Sequence, residues 1–241
     1  MRLRRVVLAS GNAGKLRELV ALLAPLGLRL EPQSAFGVPE ADEPFGTFLE
    51  NALAKARHAS RLTGLPALAD DSGLCVDALG GRPGVLSARW AARSPGVLVP
   101  KSGAAVLTSA AGAGVRGAEA GGRGSSAGRV ALDTDAANNA QLIDDLADCA
   151  DRAAHYYCVL VLLRAADDPQ PLVADASWHG EVIDVPRGSG GFGYDPHFLL
   201  PELGCTAAEL DPQRKNLLGH RGQALRLLVE RLRRDRLVDA R

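Results

Sequence analysis

Apolar and polar positions fall into blocks whose spacing changes along the chain. Leu3 to Ala9 is a short apolar block that predicts a first strand. Ser10-Gly11-Asn12-Ala13-Gly14-Lys15 follows as a loop. Leu16, Leu19, Val20, Leu23 and Leu26 then recur at helical spacing, with Gly27 near the end of that helix. Leu28-Arg29-Leu30 predicts a second strand, and Val38 to Gly46 a loop rich in proline and acid. Thr47-Phe48-Leu49-Glu50 has the spacing of a capping box. It opens a helix that places Leu49, Ala52, Leu53 and Ala56 on one face and closes at Gly64 and Pro66. Ala67-Leu68-Ala69 is a third apolar run, read as a buried strand that ends in a turn at Asp70-Asp71-Ser72-Gly73. Strand, helix, strand, helix, strand in this order predicts an α/β sheet.

From about Ser94 to Leu132 the pattern fades. Glycine and alanine dominate, no period is sustained, and the stretch is read as a flexible insertion in a single domain spanning residues 1–241. Order is expected to resume near Asp135. Ala136 to Leu146 predicts a helix and His155 to Leu163 a buried strand. Pro171 to Ala176 and Trp178 to Val185 predict two strands around a turn. Gly188 to Pro196 is a glycine-rich loop and Phe198-Leu199-Leu200 a short strand. A last helix is expected from about Gly222 to Arg233, with Ala224, Leu225, Leu228 and Leu232 on one face.

Composition narrows the function classes. The 241 residues carry 28 Lys+Arg and 28 Asp+Glu, so no net charge draws the chain to nucleic acid or to a membrane surface. An anion site must therefore be local. The four cysteines, Cys75, Cys149, Cys158 and Cys205, have no metal or redox spacing and are expected as reduced thiols, which suits a reducing compartment. The basic start Met1-Arg2-Leu3-Arg4-Arg5 precedes an apolar run too short for a signal peptide, and no stretch reaches membrane-spanning length. A cytoplasmic protein is expected.

Candidate chemistry lies in five places. Two adjacent acids, Asp70 and Asp71, at the end of a buried strand are costly unless a cation sits beside them. A divalent metal with a phosphate-bearing substrate would explain them, and so would an Asp-rich turn bonding nearby backbone amides. Ser10 to Lys15 departs from the P-loop, because Ala9 stands where its first glycine belongs and Leu16 follows the lysine. Small residues before a helix and Lys15 could still cradle a phosphate, or form an ordinary turn. Gly188-Ser189-Gly190-Gly191-Phe192-Gly193 matches a dinucleotide fingerprint in letters only, since Pro196 prevents the helix it needs. Phe192 could be exposed for stacking on a flat base or packed in the core. Glu43 could reach a metal shared with Asp71 or stay in a solvated loop. His220 and Arg221 could donate to a ligand carbonyl or be ordinary capping and surface residues. His58, His155, His179 and His197 lack ligand spacing and are read as structural.

Six strings occur in a telling order: Leu8 to Lys15, Thr47 to Ala52, Ala69 to Leu74, Gly80 to Gly84, Gly190 to Pro196 and His220-Arg221-Gly222. Together they resemble the inosine/xanthosine triphosphate pyrophosphatases, enzymes that cleanse the nucleotide pool. The likeness spans about Leu3 to Ala92 and Asp135 to Leu232. It implies an elongated two-lobed α/β fold, with a twisted mixed sheet at its centre and a cleft between the lobes. It implies Mg2+-dependent hydrolysis of ITP, dITP and XTP to the monophosphate and pyrophosphate. By the same resemblance Ser10, Gly11, Asn12, Ala13, Gly14 and Lys15 would cradle the triphosphate. Glu43 and Asp71 would hold Mg2+, Asp71 would be the general base, and Asp70 would support the cluster. Ser72 would touch substrate, and Phe192, Gly193, Tyr194, Asp195, Lys215, His220 and Arg221 would form the base pocket. Partners implied are the purine nucleoside triphosphate and a second copy in a homodimer. Two departures stand out: the Gly/Ala-rich stretch after Ser87-Ala88-Arg89-Trp90, and Gly219 where many relatives have serine. A nucleotide-binding protein without catalysis, or a pyrophosphatase for modified pyrimidines, are the rival readings.

Overall fold

The computed structural model describes residues 2–10, 19, 20, 23, 27–92 and 134–238. The loop residues 11–15 and the stretch 94–132 lie outside the described residues, as does most of the first predicted helix, of which Leu19, Val20 and Leu23 are helical. A mixed sheet of eight strands forms the centre. Its strands are β1 (Arg5–Leu8), β2 (Arg29–Pro32), β3 (Ala67–Val76), β4 (Arg82–Pro83), β5 (Ala153–Leu163), β6 (Leu172–Val182), β7 (Phe198–Leu200) and β8 (Cys205–Thr206). Their order is β2-β1-β3-β5-β6-β7-β8, with β4 joined to β3. β1 lies parallel to β2 and β3, and the other pairings are antiparallel. The helices are α1 (Phe48–Thr63), α2 (Thr134–Asp145), α3 (Pro212–Leu218) and α4 (His220–Arg234). None of the described helices is long and apolar enough to cross a membrane.

Side chains alternate across β3 and β5, so each strand serves two cores. Leu68, Leu160 and Leu162 face α4, meeting Ala224, Leu225, Leu228 and Leu232. Ala67, Ala69, Val159 and Val161 face α1, where Ala52, Ala56 and Ala59 let helix and sheet approach closely. A third core at the far end gathers Leu74, Val76, Trp90, Leu142, Tyr156, Trp178, Tyr194 and Phe198. Thr47 caps α1 by accepting from the Glu50 backbone N–H at 3.3 Å, and its hydroxyl donates to the Glu50 carboxylate at 2.6 Å. Gly64 closes the helix in the left-handed region.

Several elements differ from the sequence reading. Asp70-Asp71-Ser72-Gly73 is not a turn at a strand end. It is the middle of β3, paired residue by residue with Leu160, Val159, Cys158 and Tyr157 of β5. Asp, Ser and Gly are poor strand formers, but ten consecutive pairings override that preference. Gly73 belongs there for a local reason: a Cβ at this position would collide with the Gly84 carbonyl and the Ser87 hydroxyl. β6 is one strand through Ser177, not two, because β5 pairs with it without a break. On α1 Leu49 is 45 % exposed, and the buried face turns instead through Asn51, Ala52, Ala56 and Ala59. α4 begins at His220, two residues before the expected start, so His220 and Arg221 are buried in its first turn.

The sheet is incomplete on one side of β3. β1 pairs with its start, at Ala67 and Leu68, and β4 with its end, at Cys75 and Val76. Among the described residues no strand lies along that edge between them. The hydrogen bond from the Leu74 N–H to Ser87 Oγ, at 2.9 Å, marks the side on which it opens.

Candidate active site

The two adjacent acids point to opposite faces of the sheet, and each meets a cation from a different helix. Asp71 faces α1. Its carboxylate accepts from Lys55 Nζ at 3.1 Å and from Asn51 Nδ2 at 3.3 Å. Asn51 and Lys55 are one helical turn apart, so the Thr47 cap that sets the phase of α1 aims both at β3. Asp70 faces α4, where Arg221 Nε lies 3.5 Å from Asp70 Oδ2. Arg221 Nη2 also donates to Ser72 Oγ at 3.2 Å, so one arginine gathers the acid and the serine beyond it. Arg221, 5 % exposed, is thus a buried ionic partner and not a surface arginine.

Glu43 reaches the same cluster from its loop. Lys55 Nζ donates to Glu43 Oε1 at 2.7 Å, so the ammonium bridges Glu43 and Asp71. Arg89 holds Glu43 from outside, at 3.3 Å to Oε2 and 3.3 Å to its backbone carbonyl. Burial would lower the Lys55 ammonium, but Asp70, Asp71 and Glu43 outweigh it and hold the group above its ordinary value. These groups line a cavity of about 410 Å³ together with Ser10, Glu40, Asp42, Ser72 and Ala88. Among the described residues no three His, Cys, Asp or Glu side chains are gathered around one point. The donor set at the bridge is two carboxylates, hard oxygen ligands of the kind that suits Mg2+ when phosphate and water complete the shell.

Ser72 and Ala88 also line a second cavity of about 130 Å³, so the two share a wall. Phe192, Gly193, Tyr194, Asp195, Lys215, His220 and Arg221 surround it. Phe192 is half-buried, with Lys215 Nζ 4.7 Å and the Arg221 guanidinium 5.9 Å from its ring centre. It is neither the exposed platform nor the core residue weighed from the sequence. Asp195 is 3 % exposed and accepts from Lys215 Nζ at 2.6 Å and from the Phe192 N–H at 2.8 Å. α2 fixes the loop from the other side: Gly193 N–H donates to Asp135 at 2.7 Å, and Asn139 Nδ2 donates to the Gly193 carbonyl at 3.0 Å. His220 lies flat against Tyr156, with ring centres 4.8 Å apart and planes 9° apart.

The structure therefore brings Glu43, Asp70, Asp71 and Ser72 together, and Phe192 to Asp195 with Lys215, His220 and Arg221 beside them. Ser10 lines the first cavity, and Gly11 to Lys15 fall outside the described residues. Sequence reasoning missed Lys55, Asn51, Arg89 and Tyr156. A fully buried asparagine on an alanine-lined helix face, with a lysine four residues on, was the available signal for the first two. Arg89 and Tyr156 depend on pairings distant in sequence and had none.

A mixed sheet with a cation-bridged carboxylate pair and an adjoining aromatic pocket makes this an α/β protein in which a charged and an aromatic cavity lie side by side. The chain belongs to the Ham1 family, whose model matches residues 6–112 and 114–231. It is 59 % identical over 231 residues to a dITP/XTP pyrophosphatase of Ralstonia nicotianae, covering 96 % of this chain and 98 % of that protein. A dITP/XTP pyrophosphatase of Bordetella pertussis is 55 % identical, covering 98 % of this chain and 95 % of that protein. Among solved structures, a HAM1 protein from Coxiella burnetii superposes with a TM-score of 0.75 at 41 % identity, covering 97 % of this chain and 100 % of that one.

Proposed function

We infer that this chain hydrolyses non-standard purine nucleoside triphosphates (dITP, XTP and ITP) to the monophosphate and pyrophosphate. The relatives from Ralstonia and Bordetella are named dITP/XTP pyrophosphatases, which supports the reading for dITP and XTP. The observation in the molecule that supports it most is the shared wall at Ser72 and Ala88. It joins a charged cavity suited to a triphosphate to an aromatic pocket suited to a base.

In this reading the base enters the smaller cavity against Phe192, and the phosphates lie toward Lys55. Asp71 takes a proton from a water molecule as that water's oxygen bonds to the α-phosphorus. The bond from the α-phosphorus to the pyrophosphate oxygen breaks, and Lys55 faces the negative charge of the departing group. Lys15 would act on the same charge. Glu43 and Asp71 would hold Mg2+, which when bound neutralises phosphate charge and polarises the phosphoryl oxygens. Asn51 keeps the Asp71 carboxylate turned to the cleft. At the base end His220, Arg221 and Lys215 supply donors for a 6-oxygen. A 6-amino group leaves such a donor unpaired, which disfavours adenine. The reading extends to a cytoplasmic homodimer, checked by light scattering on a sizing column.

The test is pyrophosphate release from ITP, XTP, dITP, GTP, ATP and dUTP, with and without MgCl2. Turnover of the first three above the others, dependent on the metal, is the expected result. Equal turnover of ATP, or release of single phosphates, would overturn it.

A further inference from the structure

Residues 191–194 belong to no helix or strand, yet Phe192, Gly193 and Tyr194 of this stretch line the smaller cavity. A loop with no ladder or helix of its own takes its shape from what holds it. Gly193 sits at φ 62°, in the left-handed region that glycine enters without steric cost. Both of its backbone polar atoms are gripped by α2. The Gly193 N–H donates to Asp135 Oδ2 at 2.7 Å, and the Gly193 carbonyl accepts from Asn139 Nδ2 at 3.0 Å. Asp135 and Asn139 are one helical turn apart, so α2 presents an acceptor and a donor side by side.

The N–H belongs to the peptide that joins Gly193 to Phe192, and the carbonyl to the peptide that joins it to Tyr194. Holding both fixes the two peptide planes relative to one another, and with them the φ and ψ of Gly193. α2 is itself anchored: Asn138, 3 % exposed, accepts from the Ala91 N–H at 2.8 Å, and Asp145 accepts from Trp90 Nε1 at 2.9 Å. The Tyr194 hydroxyl donates to the Ser87 carbonyl at 2.8 Å and completes the brace. Neither Asp135 nor Asn139 lines the larger, charged cavity.

We propose that Asp135 and Asn139 are positioning residues for the base: as a pair they set the turn at Gly193, and through it the placement of Phe192 and Asp195. This deepens the activity proposed above and rests on its placement of the base in the smaller cavity. The pair governs how tightly a base is held and leaves the phosphate end alone. Phe192 is one residue from the clamp, and its N–H is in turn bonded to Asp195 at 2.8 Å, so a slack turn shifts the ring and the carboxylate together.

Asp135→Ala removes the acceptor, and Asn139→Ala removes the donor. Asp135→Asn keeps an acceptor oxygen on a side chain of the same size. The experiment measures dissociation constants of IMP and of inorganic tripolyphosphate, which has no base, by calorimetry, and kcat and KM for ITP. Asp135→Ala is expected to weaken IMP by about tenfold, the worth of one hydrogen bond to a charged group, and Asn139→Ala by about fivefold. The double variant loses less than the product of the two, because the loss of either bond already frees the turn. Tripolyphosphate binding stays within about twofold throughout. KM for ITP rises with the IMP constant while kcat stays within about twofold. Asp135→Asn stays within about threefold of wild type on every measure, since it still accepts from the Gly193 N–H. Unchanged IMP affinity in Asp135→Ala, an equal loss for tripolyphosphate, or Asp135→Asn as weak as Asp135→Ala overturns the proposal. Wild type that binds tripolyphosphate and no IMP overturns it together with the placement of the base. Absence of pyrophosphate release from ITP by wild type would sink only the activity reading, since the two binding constants still decide the role of the pair.

Discussion

Replacing Lys55 by methionine keeps the length of the side chain and removes its charge. The structure sets the size of the effect. The ammonium lies 2.7 Å from Glu43 and 3.1 Å from Asp71. At an effective dielectric of about 20, each pair attracts by roughly 5 kcal/mol before desolvation is counted. Lys55 and Asp71 side chains are only 11 % and 8 % exposed, so removing one partner strands a buried charge. Glu43 is 30 % exposed and is screened more. Breaking a buried pair costs about 3–5 kcal/mol, and relief through water at Glu43 brings the expectation to about 3 kcal/mol. For a protein of this size that is a fall in Tm of about 6–12 °C. The assay is thermal melting by circular dichroism in EDTA and in MgCl2. The variant should melt lower in EDTA and recover more on adding Mg2+ than wild type does, because the cation replaces the lost charge between the two carboxylates. Its pyrophosphate release should fall by at least about a hundredfold. A variant that melts within about 2 °C of wild type in EDTA and gains no more from Mg2+ would refute the bridge as an energetic unit.

Asp71→Asn should lower pyrophosphate release from ITP by about 10²–10⁴ with the fold retained; near-normal turnover would remove Asp71 as the base. His220→Ala should erode the preference for ITP over ATP by about tenfold, read from the ratio of kcat/KM; an unchanged ratio would place base reading elsewhere. Hydrogen bonds from Arg164 hold the Asp168 carboxyl down at about 2. Its contribution is therefore complete above the ordinary carboxylate range and is lost as pH falls through about 2. Asp168→Asn should cost at most about 2 kcal/mol at neutral pH, in urea melts, and the gap to wild type should close by about pH 2; a gap independent of pH would contradict the linkage.

Much of the architecture was readable in local pattern. The Thr47 cap, the Gly64 stop and the apolar stripe of α4 report short-range physics, and each element formed where that physics places it. The errors cluster where distant pairing decides. Asp70 to Gly73 looked like a turn because every residue there disfavours a strand, yet β5 supplies a partner for each. Ser177 looked like a break for the same reason. At the site, the acids were visible as costly residues in an apolar setting. Their cations were not, since Lys55 and Arg221 approach from opposite faces of the sheet and lie 16 and 151 positions from Asp71 and Asp70 in the chain. Tyr156 read as one more apolar residue in a buried strand, and only the fold shows its ring stacked on His220.

The gap beside β3 has a mechanical side. At Asp70 to Gly73, among the described residues, the sheet narrows to the ladder that runs through β3, β5 and β6. A narrow waist in a beam flexes before its broad ends do. Elastic compliance is thus concentrated at the strand that carries Asp71, with the charged cavity on one side and the aromatic pocket on the other. A nucleotide bound as proposed, across both cavities, would act as a strut over that waist, and its length from ring to terminal phosphate would set the angle between the two ends.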